Sequence, residues 1–314
     1  MNRDSRIFVA GHRGLVGAAV MRRLAAAGYG HLVVRDRADL DLRDPVAVRA
    51  FFASERPEVV VLAAAKVGGI LANSTHPADF IRDNLQIELS VIDAAHQTGC
   101  EKLVFLGSSC IYPKLAPQPM TEDALLTGSL EPTNEAYAIA KIAGIKMVQA
   151  YRAQYGFPGI CLMPTNLYGP GDNFDLQTSH VLPALLRKVH EAKVRGDSEV
   201  TIWGTGSPRR EFLHTDDLAD AVVFLMESYD QDRIVNVGTG KDISIAELAA
   251  MICEIVGFTG DLVFDSTKPD GTPRKLLDTS FIESLGWRPR IPLRQGIEQT
   301  YRWFSTHLAS GSHP

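Results

Sequence analysis

A tyrosine and a lysine four residues apart, Tyr137 and Lys141 in "YAIAK", are the residues of this chain best placed to move a proton. On a helix that spacing puts both side chains on one face, one turn apart. A neighbouring ammonium group lowers a phenol from its ordinary pKa of about 10, and the phenol can then exchange a proton with a carbonyl or hydroxyl oxygen. Ser108, in "GSSCIYP", follows the apolar run Lys102–Leu106 and can hydrogen-bond the same oxygen. Two residues later stands Cys110, which by type alone is either a small buried filler or a thiol with a task. Near the start, Gly11-His12-Arg13-Gly14-Leu15-Val16-Gly17 sets glycines at G-x-x-G-x-x-G spacing between a strand and a helix. Such a turn lets the backbone approach a pyrophosphate, which the amides and dipole of the helix N-terminus favour.

The elements that must position these groups are legible in the alternation of short apolar runs with helical patterns. Arg6–Ala10, Leu32–Val34, Val59–Leu62, Leu103–Leu106 and Gly159–Met163 read as strands. The helical readings between them are Leu15–Ala27, Pro45–Ser54 with Asp44 as its cap, Ile81–Gln97 and Glu135–Tyr155. This order predicts an α/β fold, a Rossmann-type doubly wound parallel sheet that binds ligands at the carboxyl edge of its strands. After Pro164 the pattern loosens. "PTNLYGPGDNF" reads as loop, and then come a helix over Val181–Ala192, short strands at Thr201–Trp203 and Ile234–Val237, and helices at Asp216–Glu227 and Ile245–Val256. "KPDGTPRK" is a turn-rich basic loop, and the terminal "ASGSHP" is expected to fray. The expected division is a dinucleotide-binding domain over 1–165, joined by 211–240, and a smaller mixed α/β substrate lobe over 166–210 and 241–314.

Composition narrows the classes of function. Against 37 acidic residues there are 32 Lys and Arg, a formal charge of −5, which argues against a non-specific nucleic-acid binder but leaves room for one basic pocket. Cys100, Cys110, Cys161 and Cys253 form no CxxC pair, so neither a metal framework nor a disulfide scaffold is expected. With no signal-like segment and no apolar run long enough to span a bilayer, the expected setting is a reducing cytoplasm. Which dinucleotide binds turns on "VVRDRADLDL". An acidic residue there suits a ribose 2′-hydroxyl and an arginine suits a 2′-phosphate. Asp36 stands against Arg37 and Arg13, and two arginines against one aspartate favour NADP(H).

Glycine loop, serine at a strand end, then Tyr and Lys on the next helix: this order resembles the short-chain dehydrogenase/reductase superfamily, in its extended branch that works on nucleotide sugars. "SPRREFLHTDD" and "VNVGTG" are similar to that branch as well. "GHRGLVG", "AAAKVGGI", "LGSSCIYPKLA", "EPTNEAYAIAKIAG", "MPTNLYGPGDNF" and "KPDGTPRKLLD" together resemble the GDP-L-fucose synthase family, and the likeness covers nearly the whole chain. That family inverts C3 and C5 of GDP-4-keto-6-deoxy-D-mannose and reduces the C4 ketone with NADPH. Inversion beside a carbonyl needs an acid/base pair beyond the Tyr-Lys machinery. The resemblance implies that Cys110 is the base and His180, in "TSHVLP", the acid. Ser108 and Tyr137 would hold O4, and Lys141 would orient the cofactor ribose. Leu106, Gly107, Ser108 and Ser109, with Pro164, Thr165, Asn166 and Leu167, would flank the nicotinamide half, and His180 would touch it too. Lys188, Trp203, Arg210 and Asp270 match positions that hold the GDP-sugar. A homodimer through the helices of 81–97 and 135–155 is implied by resemblance only. Other readings are a sugar-nucleotide 4-epimerase, a 4,6-dehydratase, whose family carries an acidic base where Cys110 stands, or a non-catalytic dinucleotide-binding regulator, which would lack Ser108, Tyr137 and Lys141.

Overall fold

The computed structural model describes residues 1–268 and 270–309. The first half runs β1 (Ile7–Ala10), α1 (Leu15–Ala26), β2 (Leu32–Val33), α2 (Pro45–Glu55), β3 (Val59–Leu62), α3 (Ile70–Thr75), α4 (Pro77–Gln97), β4 (Lys102–Leu106), α5 (Glu135–Tyr155) and β5 (Gly159–Pro164). The second half continues with β6 (Asn166–Tyr168), α6 (Val181–Arg195), β7 (Glu199–Trp203), β8 (Arg209–His214), α7 (Thr215–Ser228) and β9 (Val235–Val237). It closes with β10 (Asp242–Ser244), α8 (Ile245–Val256), β11 (Asp261–Asp265), β12 (Arg274–Lys275), α9 (Ser280–Ser284) and α10 (Leu293–Ala309).

The main sheet has six strands in the order β2-β1-β3-β4-β5-β9. All its pairings are parallel. Its strands are apolar without alternation because both faces are covered. Ile7, Val9, Val59, Val61, Val104 and Leu162 belong to one core with Val20 and Leu218. Phe8, Val60, Leu62, Leu103 and Phe105 belong to the other with Phe52 and Ile145. Local signals set the helix ends. Asp44 caps α2 by accepting from the amides of Val46 (2.9 Å) and Ala47 (3.2 Å). Pro77 opens α4, four residues ahead of the start at Ile81 that the pattern suggested, because proline at the first helical position loses no intrahelical bond.

The smaller lobe is built on a sheet of β10, β8 and β12, with β6 also paired to β8, and on the pair β11–β7. Helices α6, α8 and α10 supply its core, in which Leu186, Val189, Leu248, Ile252, Ile297 and Phe304 are buried. Two readings change. "PTNLY" is not wholly loop, since Asn166–Tyr168 is extended and pairs in register with Phe212–His214, which satisfies a backbone that Pro and Asn suggested would be irregular. β8 lies in the small sheet, so a boundary at 211 falls inside one strand, whereas β9 adds to the parallel sheet. Of the tail expected to fray, Ala309 ends α10 and 310–314 lie outside the described residues. Among the described residues no helix is long and apolar enough to cross a membrane, and no cluster of His, Cys, Asp and Glu could hold a metal.

Candidate active site

The glycine loop connects β1 to α1 at the carboxyl edge of the sheet. Gly11 has φ +87°, and a Cβ there would meet the Ala64 backbone at 2.8 Å. At Gly17 a Cβ would stand 2.0 Å from the Gly11 carbonyl oxygen, so the loop closes on its helix only with glycine there. Gly14 caps α1 with no side-chain hydrogen bond, and the first turn holds no acidic residue. The amides of Leu15, Val16 and Gly17 are therefore free to receive an anion, as a pyrophosphate requires. At the ribose end, Asp36 is already engaged. Arg13 pairs with its Oδ2 at 2.5 Å and His12 approaches its Oδ1 at 3.3 Å. Arg37 is exposed one residue later. A neutralised carboxylate beside an exposed guanidinium fits a 2′-phosphate better than a bare 2′-hydroxyl.

Leu106 ends β4, and Gly107 follows with its amide on the Leu162 carbonyl at 2.9 Å. Ser108 then caps a single 3₁₀ turn, Ser109–Ile111, and accepts from the Cys110 amide at 3.3 Å. This turn brings hydroxyl and thiol to the same edge. Pro164 ends β5 beside it, Thr165 and Asn166 both donate to the Glu211 carbonyl, and Leu167 continues into β6.

Two side chains that sequence reasoning did not single out define the environment of Cys110. Lys275 Nζ donates to Sγ at 3.3 Å and Asn134 Nδ2 at 3.2 Å. Burial by itself pushes the thiol up, but the Lys275 charge, with hydrogen bonds from Ser108, Lys275 and Asn134, holds it below its ordinary value. A mere filler would have no need of these two donors. Cys100, Cys161 and Cys253 are buried, and burial pushes each of their thiols up. The signal for Lys275 was weak, because it comes from β12, 165 positions from Cys110. Its removal is readily tested. Lys275→Met should move the pH midpoint for alkylation of Cys110 upward and slow alkylation at neutral pH by about tenfold. Peptide mapping reads the site, and an unchanged midpoint would show that the lysine does not set the thiol's charge.

Tyr137 stands in the first turn of α5. Burial pushes its phenol up, the charges at Cys110 and Glu88 push the same way, and only the Ser108 hydrogen bond draws it down. Lys141 pairs its ammonium group with Glu88 at 3.2 Å. His180 stands exposed at the N-terminal cap position of α6 without a side-chain capping bond, and partial desolvation and then the Lys275 charge hold its imidazole below its ordinary value. Arg210, on β8, feels the charges of Glu131, Asp270 and Cys110, and Lys188 places Nζ 5.2 Å from the centroid of Trp203. Trp203 is 64% exposed, a platform rather than core. Asp270 uses both carboxylate oxygens on Thr205, at 2.9 and 2.7 Å, which fixes its loop next to Arg210.

A dinucleotide loop, a Ser-Tyr-Lys set at the sheet edge and a cationic wall from a second lobe define an extended short-chain dehydrogenase/reductase. Residues 7–238 match the NAD dependent epimerase/dehydratase family. The probable GDP-L-fucose synthase 1 of Oryza sativa subsp. japonica is 61% identical over 98% of this chain and 94% of its own length. A solved GDP-6-OMe-4-keto-L-xylo-heptose reductase from C. jejuni superposes with a TM-score of 0.92 at 40% identity, covering 98% of this chain and 99% of that one. A GDP-L-fucose synthetase from Naegleria fowleri, solved bound to NADP, gives 0.90 at 29% identity over 99% and 97% of the two chains. The chain belongs to the NAD dependent epimerase/dehydratase family and, within it, to the GDP-L-fucose synthases.

Proposed function

We propose that this protein converts GDP-4-keto-6-deoxy-D-mannose to GDP-L-fucose by inverting C3 and C5 and reducing C4 at the expense of NADPH. The observation that carries this reading is the Cys110 thiol, held below its ordinary value by Lys275 and Asn134 and placed beside Ser108 and Tyr137. A ketone reductase needs no such thiol, whereas an epimerase needs a base next to the carbonyl. The C4 carbonyl acidifies the protons on C3 and C5. At each of the two carbons Cys110 removes the proton from one face and His180 returns one on the other, the thiol giving up its proton to solvent and the imidazole taking one from solvent between the two inversions. Partial desolvation and the Lys275 charge disfavour the charged imidazole. The diphosphate of the sugar nucleotide supplies the negative charge that lets His180 take up a proton. Ser108 and Tyr137 hold O4 as each enolate forms, and Tyr137 gives O4 its proton in the last step. NADPH supplies the hydride that reaches C4. Gly11 to Gly17, Arg13 and Arg37 hold the cofactor with Lys141 at the ribose, and Lys188, Trp203, Arg210 and Asp270 hold the GDP end. The parallel-sheet lobe thus carries the dinucleotide and the smaller lobe the sugar nucleotide. Exposed Leu89 and Tyr155 on α4 and α5 suit a homodimer through those helices, and the free thiols suit the cytoplasm.

Incubation with GDP-4-keto-6-deoxy-D-mannose and NADPH should oxidise one NADPH per sugar and yield GDP-L-fucose, with NADH reacting more slowly. Absence of cofactor oxidation would overturn the reading and favour a 4-epimerase, which returns its cofactor unchanged. Reduction without inversion at C3 and C5 would reduce the assignment to a ketone reductase.

A further inference from the structure

Behind the Tyr137–Lys141 pair lies a carboxylate that no step above uses. Glu88, on α4, sets Oε1 3.2 Å from Lys141 Nζ, and both side chains are 2% exposed. The contact is an ion pair between two buried charges. The Phe105 ring lies against the same ammonium group, its centroid 4.8 Å away. Gly144, one turn beyond Lys141 on α5, makes the space. A Cβ there would stand 2.7 Å from Glu88 Oε2 and 2.5 Å from Phe105. The neighbours of Glu88 on its own helix, Val91, Ile92 and Ala95, pack into the sheet as apolar residues. Burial pushes the Glu88 carboxyl up and Lys141 draws it back. A carboxylate in such surroundings is costly unless it is paired, so its presence calls for a use.

Resting on the reading of this site as a ketone reductase, we infer that Glu88 is a positioning residue that keeps the Tyr137–Lys141 pair in its proton-donating state. A reductase needs the phenol protonated when hydride arrives at C4. Lys141 alone would favour the phenolate, the form that alcohol oxidation uses. A buried anion behind the lysine offsets that cation and raises the proton affinity of the titrating groups within reach. The groups facing the phenol are Cys110 and Ser108 from the turn after β4 and Lys141 on its own helix, with Glu88 from α4. Glu88 also acts on Cys161 of β5, whose thiol burial pushes up and Glu88 pushes further, with Arg152 and Lys146 opposing. Lys275 bears on Cys110 and His180.

Glu88→Gln keeps the shape and removes the charge. The alkaline limb of kcat for NADPH oxidation should move to lower pH by about one unit, and Glu88→Asp should fall between the variant and the wild type. A limb that stays in place, or a loss uniform across pH, would overturn the role. A second readout needs no substrate. Ultraviolet difference titration, taken against the same protein carrying Tyr137→Phe, should show phenolate forming at lower pH in Glu88→Gln than in the wild type. An unmoved phenol midpoint would overturn the inference even where the wild type turns over. A moved midpoint in a protein that leaves the sugar nucleotide untouched would support the role of Glu88 and sink the substrate assignment alone. Should Glu88→Gln fail to fold, Glu88→Asp carries the same test with a smaller downward shift.

Discussion

Cys110→Ser is expected to bind NADPH as tightly as the wild type and to lose at least about a hundredfold of solvent-deuterium incorporation at C3 and C5 of the substrate. The reason is electrostatic. Lys275 and Asn134 stabilise a negative charge on sulfur, 3.3 and 3.2 Å away. A serine hydroxyl in the same place remains protonated with or without those donors, so it fills the space and cannot abstract a carbon-bound proton. The dinucleotide loop lies on the far side of β3 from the turn that carries Cys110, which is why binding should survive. Exchange followed by mass spectrometry or proton resonance reads the effect. Wild-type incorporation by the variant would remove Cys110 from the chemistry.

Tyr137→Phe should separate the two halves of the reaction. The phenyl ring keeps its edge-on contact with Phe80, 6.4 Å between centroids, so the site should remain folded. The proton for O4 is lost, and NADPH oxidation should fall by about a hundredfold or more. Deuterium exchange at C3 and C5 should fall by less, about tenfold, because Ser108 still holds O4 while the thiol and imidazole remain. The variant should therefore accumulate exchanged ketone. Unchanged turnover would show that the phenol is not the proton donor, and would reopen a non-catalytic role for the fold.

Much of this architecture could be read from local pattern. The parallel strands are buried on both faces and so stand out as continuous apolar runs, and the glycine loop and α5 follow from short-range spacing. Glu135–Tyr155 and Ile245–Val256 were legible to the residue because Gly156 and Gly257, at φ +66° and +74°, end them. What escaped is non-local. β6 and β12 are two or three residues long and are extended only because β8 offers them partners. The roles of Lys275, Asn134 and Glu88 cannot be read from spacing, since each meets its partner only in the folded chain. The pairing of Lys141 with Glu88 is illegible for the same reason, because Glu88 is not a sequence neighbour of Lys141.

The origin of Lys275 in β12 has an evolutionary consequence. Ser108, Tyr137 and Lys141 all hang from segments of the parallel sheet and α5. The reactivity of Cys110 is encoded partly in the second lobe, on a two-residue strand that pairs with β8. On the proposed assignment, a change of Lys275 is expected to weaken proton abstraction by Cys110 more than hydride transfer. On that assignment the two parts of the reaction lean unequally on the second lobe, and drift in β12 would tell on epimerisation first.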